Sequence, residues 1–391
     1  MGPQQDSVAN PNHQVSGERF EWLDCLRGLS ALAIVLFHVR VTLWIGARAV
    51  VSGPEYGWVD RAAAWMTLPF PVLGSTVMLF FVVSGFAIHY PNAASDTRLA
   101  LGGYALRRCL RIWPAYLVAV VLTVVAEHVA AGVTGIAPSP PQKAQTTAAM
   151  LQNYISPVGQ LSGNPSLWSL PVEVELYAAY PVLLWLWRQF GLKWVIALVT
   201  VTSMSAAAAL WLGHQWPMHN FAKYWVIWFA GALLADWVKT RTVPPWCRWY
   251  GVAAIAGGAV VMGCRWAGVH VGFEHFVWGA IYFLLMLWAA NHPTAPARMP
   301  GWLRRATGFL GQISYSLYLV HYPIFLVLGA WWVAAFGQKP VSVFVPLIAA
   351  LIPIPAAFVL WRLVERPSQS LGRQSTHLPQ GSLAASKVAV G

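Results

Sequence analysis

The chain has 391 residues, of which 58% are hydrophobic and only 10% are charged, and its net charge is +12 at pH 7. A soluble domain carries about 25% charged residues, so the composition excludes a soluble globular protein and predicts an all-α integral membrane protein. The excess of Lys and Arg then indicates positively charged cytoplasmic loops and a site for an anionic ligand, rather than nucleic-acid binding.

Apolar runs close to the length of about 20 residues that crosses a bilayer recur along the chain between polar or Pro/Gly-rich breaks. Ten transmembrane helices are predicted, at about residues 21–44, 71–91, 104–131, 167–188, 193–213, 221–239, 249–268, 275–292, 308–336 and 342–363. Because Lys and Arg concentrate in alternate loops, the positive-inside rule places both termini in the cytoplasm. The predicted organisation is a cytoplasmic N-terminal tail at 1–20, a membrane domain at 21–365 and a disordered cytoplasmic tail at 366–391.

The first predicted span contains Asp24, Arg27 and His38 within an apolar run. Ionisable groups inside a spanning helix cost on the order of 3 kcal/mol each, so they usually mark function. Arg27 and His38 are 11 positions apart, which places them within about 20° of the same helix face and about 16 Å apart along the axis. A long ligand on this face would have its charged end near Arg27 and its reactive end near His38. The alternative is that Arg27 anchors the helix at the headgroups and His38 is a packed core histidine.

Ser84 and Gly85 interrupt the apolar sequence FFVVSGFAIHY of the second span. Small residues in a spanning helix are typical of close contact with a neighbouring helix, and this is the leading interpretation here. The functional alternative is that the Ser84 hydroxyl binds a substrate.

Arg107, Arg108 and Arg111 lie in the sequence RRCLRIWPAY, where the third span begins at the cytoplasmic face. Spacings of three and four residues make side chains neighbours on a helix, and guanidinium groups bind phosphate through two parallel hydrogen bonds. The sequence therefore predicts a phosphate site. Anchoring of the helix by the positive-inside rule is the alternative that stays open.

Glu173 and Glu175 enter an apolar helix from the outer side in the sequence SLWSLPVEVELY. Positions two apart do not share a helix face, so one of the two is expected to point inward. A carboxylate there would orient or charge-balance His38. The alternative is an interfacial glutamate at a helix N-terminus.

Tyr318 and His321 recur at helical spacing in the sequence ISYSLYLVHYP. Polar side chains in a spanning helix are expected to face the bundle interior, where they bind either a ligand or neighbouring helices. The four cysteines form no CxxC pair, so they predict neither a disulfide framework nor a metal site.

Taken together, these segments resemble the bacterial integral-membrane acyltransferase type 3 family, whose members O-acylate sugars and other envelope molecules. The matching pieces, in family order, are Arg27 and His38 with ten residues between them, the FFVVSGF segment, Arg108 and Arg111 before Pro114 and Tyr116, Trp168 to Glu173, and Ile313 to Pro323. One departure follows Glu173, because Val174 replaces a second acid that the family often has and Glu175 stands where Gln is common. The family role therefore carries over to Glu173 alone.

The resemblance implies a ten-helix core that moves an acyl group, expected to be acetyl, from cytoplasmic acyl-CoA to a hydroxyl of a carbohydrate or glycoconjugate. Transfer would take place at the outer face of the bacterial cytoplasmic membrane. The expected site residues are His38 and Glu173 for catalysis, Arg27, Arg107, Arg108 and Arg111 for acetyl-CoA, and Ser84, Tyr318 and His321 for substrate. His38 would act as a general base or form an acyl-histidine, with Glu173 supporting it.

Two other classes of protein fit the same residues. One is a transporter or flippase that guides an anionic solute or lipid-linked sugar without acyl-transfer chemistry. The other is a structural membrane partner of a glycan-assembly complex. No metal is expected for any of the three, and a homo-oligomer is left open.

Overall fold

The computed structural model describes residues 20–53, 55–67, 69–95, 97–155, 160–214, 219–268 and 273–374. Within these ranges the chain is helical and contains no β-strand, which confirms the predicted all-α class. Ten helical segments in the described chain have thirteen residues or more, and we number them in chain order. They are α1 Glu21–Leu43, α2 Val77–His89, α3 Leu101–Thr134, α4 Ser169–Phe190, α5 Leu192–Trp211, α6 Phe221–Thr240, α7 Arg248–Trp266, α8 Glu274–Asn291, α9 Gly301–Phe336 and α10 Phe344–Gln374.

Shorter helices fill the two longest connections. Between α1 and α2 lie Ala47–Ser52, Trp58–Met66, Phe70–Leu73 and the 3₁₀ turn Gly74–Thr76; between α3 and α4 lie Pro141–Ala148, Gln152–Ile155 and the 3₁₀ turn Pro165–Trp168. Further 3₁₀ turns follow α2 at Tyr90–Asn92 and precede α9 at Ala295–Arg298. These connections join the helices without adding a second domain within the described residues.

The last segment, α10, is built from several pieces. It comprises the α-helical stretches Phe344–Ala349, Pro353–Leu360 and Arg366–Gln374, with a π-helical turn at Trp361–Glu365. The disordered tail predicted from residue 366 is therefore corrected over 366–374. The final turns are ordered because Gly372 packs against Arg107 and Leu110 of α3. The other predicted tail residues, 1–19 and 375–391, lie outside the described chain.

Every predicted span overlaps one of the ten helical segments. Six stretches of the described chain are long and apolar enough to cross a membrane: α1, Trp58–Asn92 with α2 inside it, α3, α5, α9 and α10. The protein is thus a multi-pass membrane protein, while the count of ten spans and the orientation of the termini remain predictions. The helices α4, α6, α7 and α8 coincide with predicted spans but fall outside this set of six.

Close contacts between glycines and backbone hold two helix pairs together. A Cβ at Gly85 of α2 would overlap the carbonyl oxygen of Trp228 in α6, and one at Gly231 of α6 would overlap that of Val82. Gly28 of α1 and Gly311 of α9 approach each other's helix in the same way. Such contacts let backbones approach closely, which increases van der Waals packing in a membrane. They confirm the interpretation of Ser84-Gly85 as a helix-packing motif.

The α1–α9 contact positions the polar side chains of α1. Arg27 reaches Ser314 of α9, and His38 reaches His321 of α9. The two helices run parallel, so the first contact lies towards one end of the bundle and the second towards the other. We call these the arginine end, where α1, α3 and α9 begin, and the histidine end, where they finish.

Candidate active site

A cavity of about 190 Å³ lies between α1, α2, α3, α4 and α9. Six of the nine predicted site residues line it: Arg27, Ser84, Arg108, Arg111, Glu173 and Tyr318. These residues are far apart in sequence, and the helix packing brings them to one place. We call this space the arginine cavity. The remaining three predicted residues, Arg107, His38 and His321, are not among its lining residues.

Three arginines, Arg27, Arg108 and Arg111, contribute guanidinium groups to the cavity lining. Arg27 donates a hydrogen bond to Ser314 over 3.2 Å and has Asp24 at 3.9 Å. The Arg108 guanidinium lies 5.7 Å from the ring centroids of both Tyr104 and Tyr177. The buried Nε of Arg108 has no hydrogen-bond partner among the described residues. A buried donor without a partner costs free energy, so this group favours an incoming acceptor such as phosphate.

Glu173 is the carboxylate of the lining. Its Oε1 accepts hydrogen bonds from Ser84 Oγ at 3.1 Å and from the Tyr177 hydroxyl. Ser84 in turn accepts from the indole nitrogen of Trp228 at 3.2 Å. The carboxylate therefore lies in the arginine cavity, and its hydrogen bonds in the described structure run to α2 and α4 rather than to His38. That Glu173 supports His38 stays a prediction.

His38 pairs instead with His321. The Nδ1 of His38 lies 2.9 Å from Nε2 of His321, and Nδ1 of His321 lies 3.0 Å from the carbonyl oxygen of Leu317. A carbonyl oxygen only accepts, so Nδ1 of neutral His321 carries the proton and its Nε2 accepts one from His38. The Nε2 of His38 then has a free lone pair. That nitrogen is suited to take a proton or to act as a nucleophile.

The histidine pair adjoins the arginine cavity through Tyr318. The Tyr318 ring lines the cavity, and its centroid lies 5.9 Å from that of His321. Its hydroxyl donates to the carbonyl oxygen of Ser166 and accepts from Ser169 Oγ at 2.8 Å, so its orientation is fixed. The site therefore has two parts along α1, a cationic cavity and a histidine pair, with Tyr318 between them.

Arg107 stands apart from its two neighbours. It does not line the arginine cavity, and its backbone packs beside Gly372 of α10. Arg108 and Arg111, three positions apart, share the face that lines the cavity, while Arg107 lies on the side of α3 that meets α10. The expected role of Arg107 in binding the acyl donor stays a prediction.

Sequence reasoning missed Glu365 in the site. Only 2% of its surface is exposed; it accepts hydrogen bonds from Ser316 at 2.6 Å and Gln369 at 2.9 Å, and it interacts electrostatically with Arg27 and Arg111. An acidic residue at the end of an apolar span was the available signal. Because Glu365 stands beside Arg366, where the predicted polar tail begins, the sequence alone does not separate it from that tail.

Two tyrosines were also absent from the predicted set. Tyr177 lies one helical turn after Glu173 and donates to its carboxylate. Tyr315 lines the cavity and donates from its hydroxyl to the carbonyl oxygen of Ile112 at 2.8 Å. Tyr315 belongs to the same polar segment as Tyr318 and His321, whereas nothing in the sequence distinguishes Tyr177 from the aromatic residues that are common in membrane helices.

Comparison with known proteins identifies the family of the chain. The acyltransferase domain family matches residues 20–360, which is most of the chain. The O-acetyltransferase OatA of Staphylococcus aureus is 24% identical over 391 residues, covering 90% of this chain and 57% of that protein. Nodulation protein 10 of Rhizobium leguminosarum bv. viciae is 24% identical over 399 residues, covering 92% of this chain and 96% of that protein.

The chain thus spans little more than half the length of the staphylococcal relative. No solved structure matches the chain. The family match extends from α1 into α10 and includes the arginine cavity and the histidine pair, apart from Glu365. The chain belongs to the acyltransferase type 3 family.

Proposed function

We propose that the protein is a membrane O-acyltransferase that moves an acyl group, acetyl in the first instance, from acyl-CoA to a hydroxyl of a carbohydrate or glycoconjugate. The observation that carries the proposal is the placement of His38, with a free Nε2, beside a cavity lined by three arginines. A nucleophile-activating group next to a phosphate-binding group is what transfer from a CoA thioester requires.

The arginine cavity is proposed to receive the acyl donor. Its lining carries three arginines and one glutamate, while two further carboxylates that interact with these arginines, Asp24 and Glu365, are not among the lining residues. The guanidinium groups that line the cavity are therefore proposed to bind the phosphates of CoA. A volume of about 190 Å³ is smaller than the usual range of ligand pockets, about 300–1,000 Å³. The cavity would therefore hold the narrow thioester arm, and the nucleotide would lie towards the arginine end, next to Arg108 and Arg111.

His38 is proposed as the group that activates the acceptor. Its Nε2 takes the proton of the acceptor hydroxyl while the hydroxyl oxygen bonds to the thioester carbonyl carbon. The C–S bond then breaks, the thiolate of CoA leaves, and the proton on His38 passes to that sulfur. The products are an ester on the acceptor and free CoA. A two-step route through an acyl-histidine uses the same nitrogen and remains open.

The proposed orientation of the bundle in the membrane follows from the compartment in which the acyl donor is made. Acyl-CoA is made in the cytoplasm, so the arginine end would face the cytoplasm and the histidine end the outer side of the bacterial cytoplasmic membrane. Positively charged loops at the arginine end support the same orientation. Ten spans and two cytoplasmic termini complete the proposed topology. The printed name of OatA, an O-acetyltransferase, supports acetyl as the transferred group.

Turnover of the thioester tests the function. Protein purified in detergent is mixed with acetyl-CoA and a methyl glycoside whose hydroxyls can accept the acetyl group, and free thiol is followed with a thiol reagent. His38→Ala should lower the rate at least 10²-fold, because a general base or nucleophile is lost. His128→Ala is the matched control, since His128 is exposed on α3. A transporter or a structural partner would release no thiol, and equal rates in His38→Ala and the parent would remove His38 from the mechanism.

A further inference from the structure

A second cleft opens at the histidine end between α1, α2, α5, α6, α7 and α8. Its volume is about 820 Å³, within the range of pockets that enclose small-molecule ligands. Phe37 and Val77 form part of its wall. The Phe37 ring lies 5.0 Å from the His38 ring, and Val77 also lines the arginine cavity. The cleft therefore adjoins both parts of the candidate active site.

The charges of the ionised side chains that line the cleft do not sum to zero. Arg265 holds Glu274 through two hydrogen bonds, of 2.9 Å from Nε and 2.7 Å from Nη2. Lys223 remains, with its ammonium 5.2 Å from the centroid of the Tyr224 ring. The charge summed over these three ionised side chains is positive, and Lys223, which interacts electrostatically with Glu274, carries the excess. The electrostatics favour a ligand with an anionic group.

His275 supplies an unused hydrogen-bonding group in the same wall. Its residue surface is 7% exposed, and its Nε2 has no hydrogen-bond partner within the described chain. Buried polar atoms are nearly always paired, and an unpaired one costs free energy. A ligand hydroxyl in the cleft would satisfy this nitrogen.

Aromatic rings complete the lining, with Trp168, Trp211, Tyr224 and Trp278 among the cleft residues. Trp211 is 78% exposed, so an indole face is available to a ligand that enters from outside. Flat aromatic faces provide large apolar contact area for the C–H face of a sugar ring, while the polar groups at the rim bind its hydroxyls.

We propose that this cleft is the acceptor site and that it selects a sugar unit carrying a carboxylate or phosphate. Lys223 binds the anionic group, His275 binds a ring hydroxyl, and the indole faces pack against the ring. The free hydroxyl of the sugar is then presented past Phe37 to His38. The role as acceptor rests on the proposed acyl-transfer function, whereas binding of an anionic sugar does not.

A third cavity, of about 410 Å³, also lies at the histidine end and includes Glu127 and Lys339. Both of these charged side chains already form hydrogen bonds with backbone groups. Glu127 accepts hydrogen bonds from the backbone nitrogens of Ser139 at 2.9 Å and Gly163 at 2.6 Å, and Lys339 donates to the carbonyl oxygen of Val41 at 3.1 Å. This cavity therefore lacks the unmatched groups that distinguish the proposed acceptor site.

Saturation-transfer NMR on the purified protein tests the binding directly. The probes are methyl β-glucuronide and methyl glucoside 6-phosphate, with methyl β-glucoside as the neutral counterpart. We expect saturation transfer to at least one charged probe, reduced at least threefold by Lys223→Met and restored by Lys223→Arg. Lys339→Met is the matched control and should leave the signal unchanged.

No signal from either charged probe, an equal signal from the neutral glucoside, or a signal unaffected by Lys223→Met would overturn the proposal. The melting temperature and gel-filtration profile of each detergent-solubilised variant check that it is folded, and thiol release from acetyl-CoA is measured on the parent and on His38→Ala. If thiol release depends on His38 but no charged sugar binds, the acceptor site in the cleft is rejected and the proposed acyl transfer stands. Charged-sugar binding without any thiol release would reject acyl transfer and leave the binding site standing.

Discussion

The proton positions on two histidines decide which imidazole nitrogen is free to react. The bond from His321 to the Leu317 carbonyl fixes the His321 tautomer, and this in turn fixes that of His38. A neighbouring group that sets the tautomer and orientation of a catalytic histidine is common where imidazole acts as a base. In this respect His321 is a positioning residue, and His38 is the residue proposed to touch the reacting atoms.

Replacing His321 should therefore slow turnover without weakening donor binding. We expect His321→Ala to lower kcat roughly tenfold or more, since a lost hydrogen bond of about 1.5 kcal/mol corresponds to that factor. His321→Gln should restore part of the rate, because its amide can accept from His38 and donate to Leu317. Steady-state thiol release gives kcat, and equilibrium titration gives CoA affinity. A parallel loss of CoA affinity would contradict the assignment.

The arginines of α3 allow a comparison within one helix. Arg111 lines the arginine cavity and Arg107 does not. A charge-assisted hydrogen bond contributes roughly 1.5–3 kcal/mol, so Arg111→Ala should weaken CoA binding by about ten- to a hundredfold. Arg111→Lys should recover only part of the affinity, because lysine keeps the charge but loses the planar fork.

Arg107→Ala is the control for that experiment and should leave CoA affinity within about twofold of the parent, because Arg107 does not line the cavity and packs beside Gly372 of α10. Titration of CoA into the four proteins separates the interpretations. If Arg111→Ala and Arg107→Ala behave alike, the arginines serve only to anchor α3 at the membrane.

The contact between α2 and α6 links helix packing to the site. Gly85 allows the two backbones to meet, and that contact places Ser84 between Trp228 and Glu173. A methyl group at position 85 would overlap the Trp228 carbonyl and force the helices apart. The orientation of the Glu173 carboxylate therefore depends on a glycine that has no polar atom of its own in the cavity.

Gly85→Ala should lower stability and activity together. Overpacking of this kind costs about 1–3 kcal/mol, which should appear as a lower melting temperature of the detergent-solubilised protein. The matched control is Gly132→Ala in α3, where an added Cβ meets open space. Equal melting temperatures for both variants would show that α2 and α6 can separate without cost.

The helical repeat predicts which residues share a helix face. It does not predict which helices pack against each other, and the partners of the site residues depend on that packing. Arg27 and His38 both face α9, as their spacing predicted, because a helix repeats every 3.6 residues wherever it packs. The partner of His38 could not be deduced in this way, since it depends on which helix lies against α1. For the same reason the sequence did not show that Glu173 bonds to Ser84 and Tyr177. Nor did it show that Glu365, which lies 338 positions from Arg27, interacts with that residue.

The whole bundle has an asymmetric distribution of charge. The helix ends and loops at the arginine end hold Arg98, Arg107, Arg108, Arg111, Arg188, Lys193, Lys239, Arg241, Arg248, Arg298, Arg304 and Arg305. The histidine end of the described chain holds fewer basic residues, among them Arg48, Arg61, Lys143, Lys223, Arg265 and Lys339. Basic residues close to spans favour the cytoplasmic side, so the arginine end is expected to face the cytoplasm.

Cysteine accessibility in spheroplasts checks that orientation. In a background where Cys25, Cys109, Cys247 and Cys264 are serine, Ser52→Cys places a thiol at an exposed position of the histidine end. Ser382→Cys places one in the C-terminal tail. A membrane-impermeant maleimide should label position 52 in intact spheroplasts and position 382 only after lysis. Labelling of position 382 in intact spheroplasts would show that the bundle has the opposite orientation. A cytoplasmic acyl donor would then reach His38 and the acceptor cleft before it reached the arginine cavity.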